Sequence, residues 1–388
     1  MTRYLKLFSK MKQVKILALI VIALFALLLV SCVPGGAPPA RGWSGTAVQD
    51  GILYTGSVDG RVVAIDIETR GEEWSYAITV PPPTTIYSTP IVDGDLVYIA
   101  SYSGKVLALN TLARSQNLPF PQSRYGEWEW DCPGAKVGNN AIVADLLVTE
   151  DAIYVSSSNG RVYSLDKEFG DVNWESDILH EKLWTSPVIQ GGTLYVSTFD
   201  GHIYALSAET GALLPWFFKS KAGFASSPVL YNDTIFVGSF DRNLYAIKIG
   251  DDEPLWKFPG GKWFWAAPLV NEGVVYAGCL DGKIYAIEAE AGGKLWEFDA
   301  GNPVVSSPVL MDNLLIVADE SGTVYAFDLN ADPEDRAVVP LRPISINAAV
   351  KGSLWAQEGL VFIRGQDNKI YVLDIERGRL SWEFPLDY

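Results

Sequence analysis

Short apolar runs separated by turn residues fill most of this chain, and the arrangement repeats. In Thr193 to Trp216, TLYVSTFDGHIYALSAETGALLPW, one apolar run leads into Asp200-Gly201 and a second, His202 to Leu206, leads out. A further turn at Glu209-Thr210-Gly211 precedes Trp216. Asp-Gly between two strand-like runs is the strongest short hairpin signal, because both central residues of a type I′ turn need positive φ. The segment predicts three strands of a four-stranded meander, with a type I′ turn at Asp200-Gly201.

The unit recurs eight times in constant register. The large apolar residue of one strand falls at Tyr54, Tyr98, Tyr154, Tyr195, Phe236, Tyr276, Ile316 and Phe362. Its counterpart in the next strand follows nine residues later each time, at Val63, Leu107, Tyr163, Tyr204, Tyr245, Tyr285, Tyr325 and Tyr371. One inserted residue would swap the faces of a strand, so a constant offset means a constant connection. Eight residues before the first set stand Thr46, Pro90, Leu146, Pro187, Pro228, Pro268, Pro308 and Leu354. Proline is tolerated where a strand begins, which predicts one more strand per unit.

Successive copies lie 40 to 56 residues apart. That period, with several strands per copy, is the signature of a β-propeller. Runs such as IYAI and LYVS are apolar on both faces, as in sheets buried on both sides. The fold class read from the pattern is all-β: an eight-bladed β-propeller of four-stranded antiparallel blades over residues 43–388. Seven blades with a decayed extra repeat is the alternative, and a strand exchanged between first and last blades is left open.

The N-terminus departs from the pattern. Arg3, Lys6, Lys10, Lys12 and Lys15 precede the uninterrupted apolar run Ile16 to Val30. These are the n-region and h-region of a secretory signal, read as residues 1–31. An uncleaved membrane anchor is the alternative. Val33 to Arg41, VPGGAPPAR, has no apolar periodicity and reads as an extended tether, so that 32–42 links the signal to the ring. Five of the 30 basic residues lie in the first 32, leaving 25 against 46 acids and a net charge of −21. A polyanionic body argues against nucleic acid, whose affinity comes from phosphate neutralisation. Cys132 and Cys279 are the remaining cysteines; nothing in their spacing requests a bridge.

Two resemblances follow. Leu29-Val30-Ser31-Cys32 is similar to the bacterial lipobox, which implies an acylated N-terminal Cys32 and an extracytoplasmic, membrane-anchored protein. The pattern Ala-x-Asp-x-x-x-Gly-x-x-x-Trp resembles the docking motif of the pyrroloquinoline-quinone (PQQ) type repeat. Ser164, Asp166, Gly170 and Trp174 carry it, as do Ala286, Glu288, Gly292 and Trp296, and Val372, Asp374, Gly378 and Trp382. Trp74, Trp216 and Trp256 carry the aromatic with local variation. The resemblance implies that each indole lies on the backbone of the adjacent blade. Leu118 in the second copy and Arg336 in the seventh stand near the tryptophan position, so those two junctions are expected to be the weakest.

Three features are candidate sites. Three residues before each proline position stand Trp43, Tyr87, Val143, Trp184, Ala225, Trp265, Val305 and Lys351. The aromatics Trp43, Tyr87, Trp184 and Trp265 form a candidate binding rim at the central channel, or else plug its mouth. In the insertion Gln122 to Gly138, Tyr125, Trp128 and Trp130 alternate with acids and read as an exposed partner loop; capping of the second blade is the alternative. Asp328 to Asp335 reads as an acidic surface turn rather than a calcium loop, since Pro333 replaces the needed glycine.

No catalytic constellation, metal-ligand cluster or phosphate loop is found, and the two histidines, His180 and His202, lie in different copies. The expected protein is a non-enzymatic, cofactor-free, monomeric propeller that binds protein partners. Lipobox, tether and eight repeats resemble the BamB lipoprotein family of outer-membrane protein assembly, which implies a partner in the envelope assembly machinery. The rivals are a PQQ-dependent quinoprotein dehydrogenase, and a polysaccharide or peptidoglycan binder using the aromatic rim.

Overall fold

The computed structural model describes residues 42–78, 84–111, 127–133, 140–179, 182–224, 226–330 and 341–386. The signal segment, Cys32, the tether up to residue 41, Leu118, Tyr125, His180, Ala225, Arg336 and most of the acidic turn after Asn330 lie outside the described residues.

The described residues contain no helix and form eight four-stranded antiparallel sheets, each built from four consecutive strands. The fold is an eight-bladed β-propeller without strand exchange. In every blade the third strand pairs in the same register. Thr55 faces Val63 in blade 1, Val196 faces Tyr204 in blade 4 and Ile363 faces Tyr371 in blade 8. The constant nine-residue offset fixes that register. The core is not central. Eight apolar clusters each draw on two neighbouring blades, so every sheet is buried on both faces by its neighbours.

The turns correct one expectation. At Asp200-Gly201 only the glycine has positive φ, 89°. Gly201 N–H donates to the Thr198 carbonyl at 3.2 Å, and Thr198 N–H to that of His202 at 2.9 Å. Four residues separate strands Thr193–Ser197 and His202–Ser207, and the connection closes on a left-handed glycine. Paired positive φ occurs one hairpin earlier, at Gly191-Gly192 (56° and 75°) and likewise at Asp50-Gly51 (52° and 76°). Only those two-residue loops demand positive φ at both central positions.

Indoles join the blades. Trp174 Nε1 donates to the Ala208 carbonyl at 3.0 Å, Trp216 to that of Asp251 at 3.1 Å and Trp256 to that of Ala289 at 2.9 Å, each in the following blade. The motif glycine is the floor beneath the ring. A Cβ on Gly211, at φ +72°, would lie 2.4 Å from the Trp174 indole, and one on Gly292 2.6 Å from that of Trp256. Trp296 packs on Phe327 of blade 7 at 5.5 Å between ring centroids. Trp382 joins the apolar cluster that links blades 8 and 1, and Trp74 the one that links blades 1 and 2.

The second blade overturns the partner-loop reading. Trp128 and Trp130 lie in its fourth strand, Trp128–Asp131, with 6% and 9% of their surface exposed. Trp128 pairs with Ala108 as Trp74 pairs with Ala64. Its Nε1 donates to the Lys167 carbonyl of blade 3 at 3.0 Å, and a Cβ on Gly170 would meet its ring at 2.5 Å. Trp128 is therefore the docking indole of blade 2, and that junction is not deprived of one. Blade 7 keeps the departure. Its last strand is the two-residue Ile344–Ser345, and Ile344 and Ile346 fill the junction to blade 8.

Blade 8 meets blade 1 through Arg364, the largest fully buried side chain among the described residues. In other blades a small residue stands there, such as Gly56, Ala100 or Ser197. Arg364 Nη1 donates to the Gly42 carbonyl at 2.7 Å, and Thr46 Oγ1 donates to the Phe362 carbonyl at 3.1 Å. Burial pushes the guanidinium down to about 10. Cys132 and Cys279 are buried free thiols in different clusters. Burial raises both, Cys279 to about 12, which disfavours reactive thiolate.

Candidate functional site

Each blade is entered by an extended segment that runs beside the axis, and alternation sorts its residues. Of Trp184-Thr185-Ser186-Pro187, Trp184 and Ser186 face the channel while Thr185 turns into the blade and donates to the Ser197 carbonyl at 2.8 Å. Ser88 and Ser306 do the same toward the carbonyls of Ala100 and Ala318, both at 2.8 Å. The small hydroxyl residue two places before the proline position is thus an internal clamp on the second strand.

The channel-facing residues form two layers around one cavity of about 430 Å³. The outer layer holds Trp43, Tyr87, Val143, Trp184, Trp265, Val305 and Lys351. All four rim aromatics expected from the sequence therefore line a single pocket. The inner layer holds Thr89, Asp145, Ser186, Ser227, Ala267, Ser307 and Ser353. It is small and mostly hydroxylic, with one carboxylate.

The aromatics stand in two arcs. Trp43 meets Tyr87 edge-on at 4.4 Å, and Tyr87 meets Tyr102 at 5.3 Å. On the other arc Trp184 packs on Phe199 at 5.1 Å, Phe199 on Phe240 at 5.4 Å, and Phe240 on Trp265 at 6.2 Å. Trp184 Nε1 donates to Ser158 Oγ at 2.9 Å, which fixes that indole. Tyr102, Phe199 and Phe240 escaped the sequence reading. They occupy the second of the four residues connecting the second and third strands of their blades, a place that aligning the eight copies on Asp200 would have picked out.

Asp145 was also missed. It stands one residue before Leu146, where five other copies carry Ser or Thr and the remaining two carry Gly45 and Ala267. The Thr89 N–H donates to its Oδ1 at 2.5 Å, as Ser186 N–H donates to Ser227 Oγ at 2.9 Å. Burial raises its pKa, against the lowering effect of the Thr89 bonds. Among the described residues no cation pairs with it; Lys351, on the same pocket, is held by Glu320 at 3.0 Å. An acid whose folded pKa lies above its unfolded one binds more protons when folded, so stability falls as pH rises past the unfolded value. Asp145→Asn is therefore expected to raise the thermal midpoint at pH 8 and to leave it nearly unchanged at pH 4. Melting curves at the two pH values check this, and an equal shift at both would contradict it.

Other residues supply little chemistry. His202 lies at a strand edge, stacked on Tyr204, with Asp200 at 3.0 Å and Lys219 at 3.1 Å. Among the described residues no group of three or more His, Cys, Asp or Glu is placed to hold a metal ion.

A sequence model of the family described as outer membrane protein assembly factor BamB matches residues 36–131, 126–216 and 214–332. The chain belongs to this family. A BamB of Legionella pneumophila (strain Paris) is 27% identical over 168 residues, 41% of this chain and 39% of that protein. A BamB of Salmonella typhimurium (strain LT2) is 32% identical over 162 residues, 40% of this chain and 36% of that one. The matched stretches thus span under two fifths of these relatives. The crystal structure of BamB from Moraxella catarrhalis superposes with a TM-score of 0.64 at 17% identity, covering 84% of this chain and 92% of that one; this likeness concerns the fold.

Proposed function

We propose that this chain is a non-enzymatic scaffold of envelope protein assembly, held outside the cytoplasm by lipid on Cys32 and presenting its ring to protein partners. The observation that carries the reading is membership of the BamB family across residues 36–332. The cationic start, the apolar run and Leu29-Val30-Ser31-Cys32 support the anchor. Two acyl chains suffice for stable attachment where a single one is marginal. A rigid ring of hairpins and inter-strand loops suits recognition of other proteins, because loops on a stiff scaffold carry contacts at low ordering entropy.

The quinone reading fits the residues poorly. PQQ is a tricarboxylate, and the axial pocket offers it the Asp145 carboxylate and one cation already paired with Glu320. No step is derived through it.

Crosslinking in native membranes followed by affinity capture tests the proposal. The wild type is expected in the membrane fraction with a barrel-assembly protein attached, and Cys32→Ser in the soluble fraction. A wild type that is soluble, or membrane capture that yields no envelope assembly protein, would overturn it.

A further inference from the structure

Asp145 is a solitary carboxylate in a mostly hydroxylic ring. Its equivalents Thr89, Ser186, Ser227, Ser307 and Ser353 are neutral, and its described hydrogen-bond donor, Thr89, is neutral too. Holding a partly buried carboxylate at the pocket wall without a counter-ion is unfavourable, and the ring does not relieve it from within. Above it stand Trp43, Tyr87, Trp184 and Trp265, whose ring faces attract cations. The remaining wall mixes apolar residues such as Ile91, Leu147 and Phe199 with serine and threonine, whose oxygens accept N–H donors, and Lys351 on it is paired with Glu320. Beyond residue 32 the 46 acids against 25 basic residues favour approach of positive charge.

We propose that the axial pocket is a binding site for an organic cation, an ammonium or guanidinium group seated on Asp145 and enclosed by the rim aromatics. The cation supplies the charge the ring withholds. The aromatic arcs exclude water around it, which strengthens the ion pair. A cavity of about 430 Å³ takes an aliphatic amine or one long basic side chain, but not a folded domain. The same chemistry could come from a free polyamine or from a lysine or arginine on an incoming polypeptide. The inference does not depend on the scaffold role: a ring with no assembly partner would bind the amine equally.

The ionisable groups lining the pocket are Asp145, Tyr87 and Lys351, the last tied to Glu320. Burial raises Tyr87, so it stays neutral through the neutral range. Affinity for the cation is therefore expected to fall on acidification as Asp145 takes up a proton.

Calorimetric titration of the full chain in detergent, at physiological salt, provides the test. The probes are spermidine, a short peptide with a single lysine, and the uncharged 1,8-octanediol. Spermidine, the peptide or both are expected to bind and the diol is not. Binding of spermidine assigns the site to free amines, and binding of the peptide alone assigns it to side chains. Asp145→Asn keeps an acceptor for the Thr89 N–H and is expected to weaken binding by about 10- to 100-fold and to abolish its pH dependence. Trp184→Ala is expected to weaken it by about 2- to 30-fold. Circular dichroism confirms that each variant is folded. Failure of both amines to bind, or equal affinity in folded Asp145→Asn, overturns the proposal.

Discussion

Trp128→Ala is expected to destabilise the ring by about 3–5 kcal/mol, the usual range for emptying a large aromatic site. The indole is 6% exposed, covers Gly170 and donates to the Lys167 carbonyl of the next blade. Removing it opens a cavity between blades 2 and 3 and leaves that carbonyl without its partner. Urea unfolding of Trp128→Ala beside Trp256→Ala checks the value, since both perform the same docking. A loss within about 0.5 kcal/mol, typical of an exposed side chain, would return the residue to the surface role its acidic neighbours suggest.

Gly211→Ala has the second largest expected effect, about 2–5 kcal/mol. Two terms add. Positive φ, here +72°, costs an L-residue about 1–2 kcal/mol. A methyl 2.4 Å from the Trp174 ring must push the indole or the blade aside, for about 1–3 kcal/mol more. Gly51→Ala separates them, because Gly51 has φ +76° but nothing within 4 Å of the new carbon. If the two substitutions destabilise equally in urea, the contact is not what demands glycine at 211.

These two positions show what the sequence conveyed. The eight-copy register gave the blades, their number and their pairing, because a constant offset leaves a strand one way to sit against its neighbour. It failed at Trp128 for a specific reason. In blades 1, 3, 5, 6 and 8 the indole follows the third-strand anchor by ten residues, as Trp74 follows Ala64, and in blade 4 Trp216 follows Ala205 by eleven; in blade 2, Trp128 follows Ala108 by twenty. A fixed spacing finds Leu118 instead, and acids alternating with aromatics then resemble an exposed loop. Alternation is equally the mark of a strand with one buried face, and the burial pattern of Trp128–Asp131 is just that.

The pocket was half legible. The rim aromatics emerged from counting back from the prolines, since residues at equivalent steps of eight equivalent segments must encircle the axis. Asp145 did not, because a single carboxylate in one copy carries no periodic signal. Its character comes from enclosure by seven other segments, which sequence order hides. Asp200-Gly201 misled for a related reason: the dipeptide is compatible with two connection lengths, and the flanking pairing decides between them.

The seam between the last and first blades has a mechanical corollary. Gly42 is where the N-terminal segment joins the ring, and its carbonyl is gripped by Arg364. Tension along that segment reaches the ring at the place where its two chain ends meet. The load falls first on a buried guanidinium and on the hydrogen bond from Thr46 to Phe362, before any intact neighbouring pair of blades feels it. Force applied to the chain ahead of Gly42 would strain the clasp of the necklace before its beads.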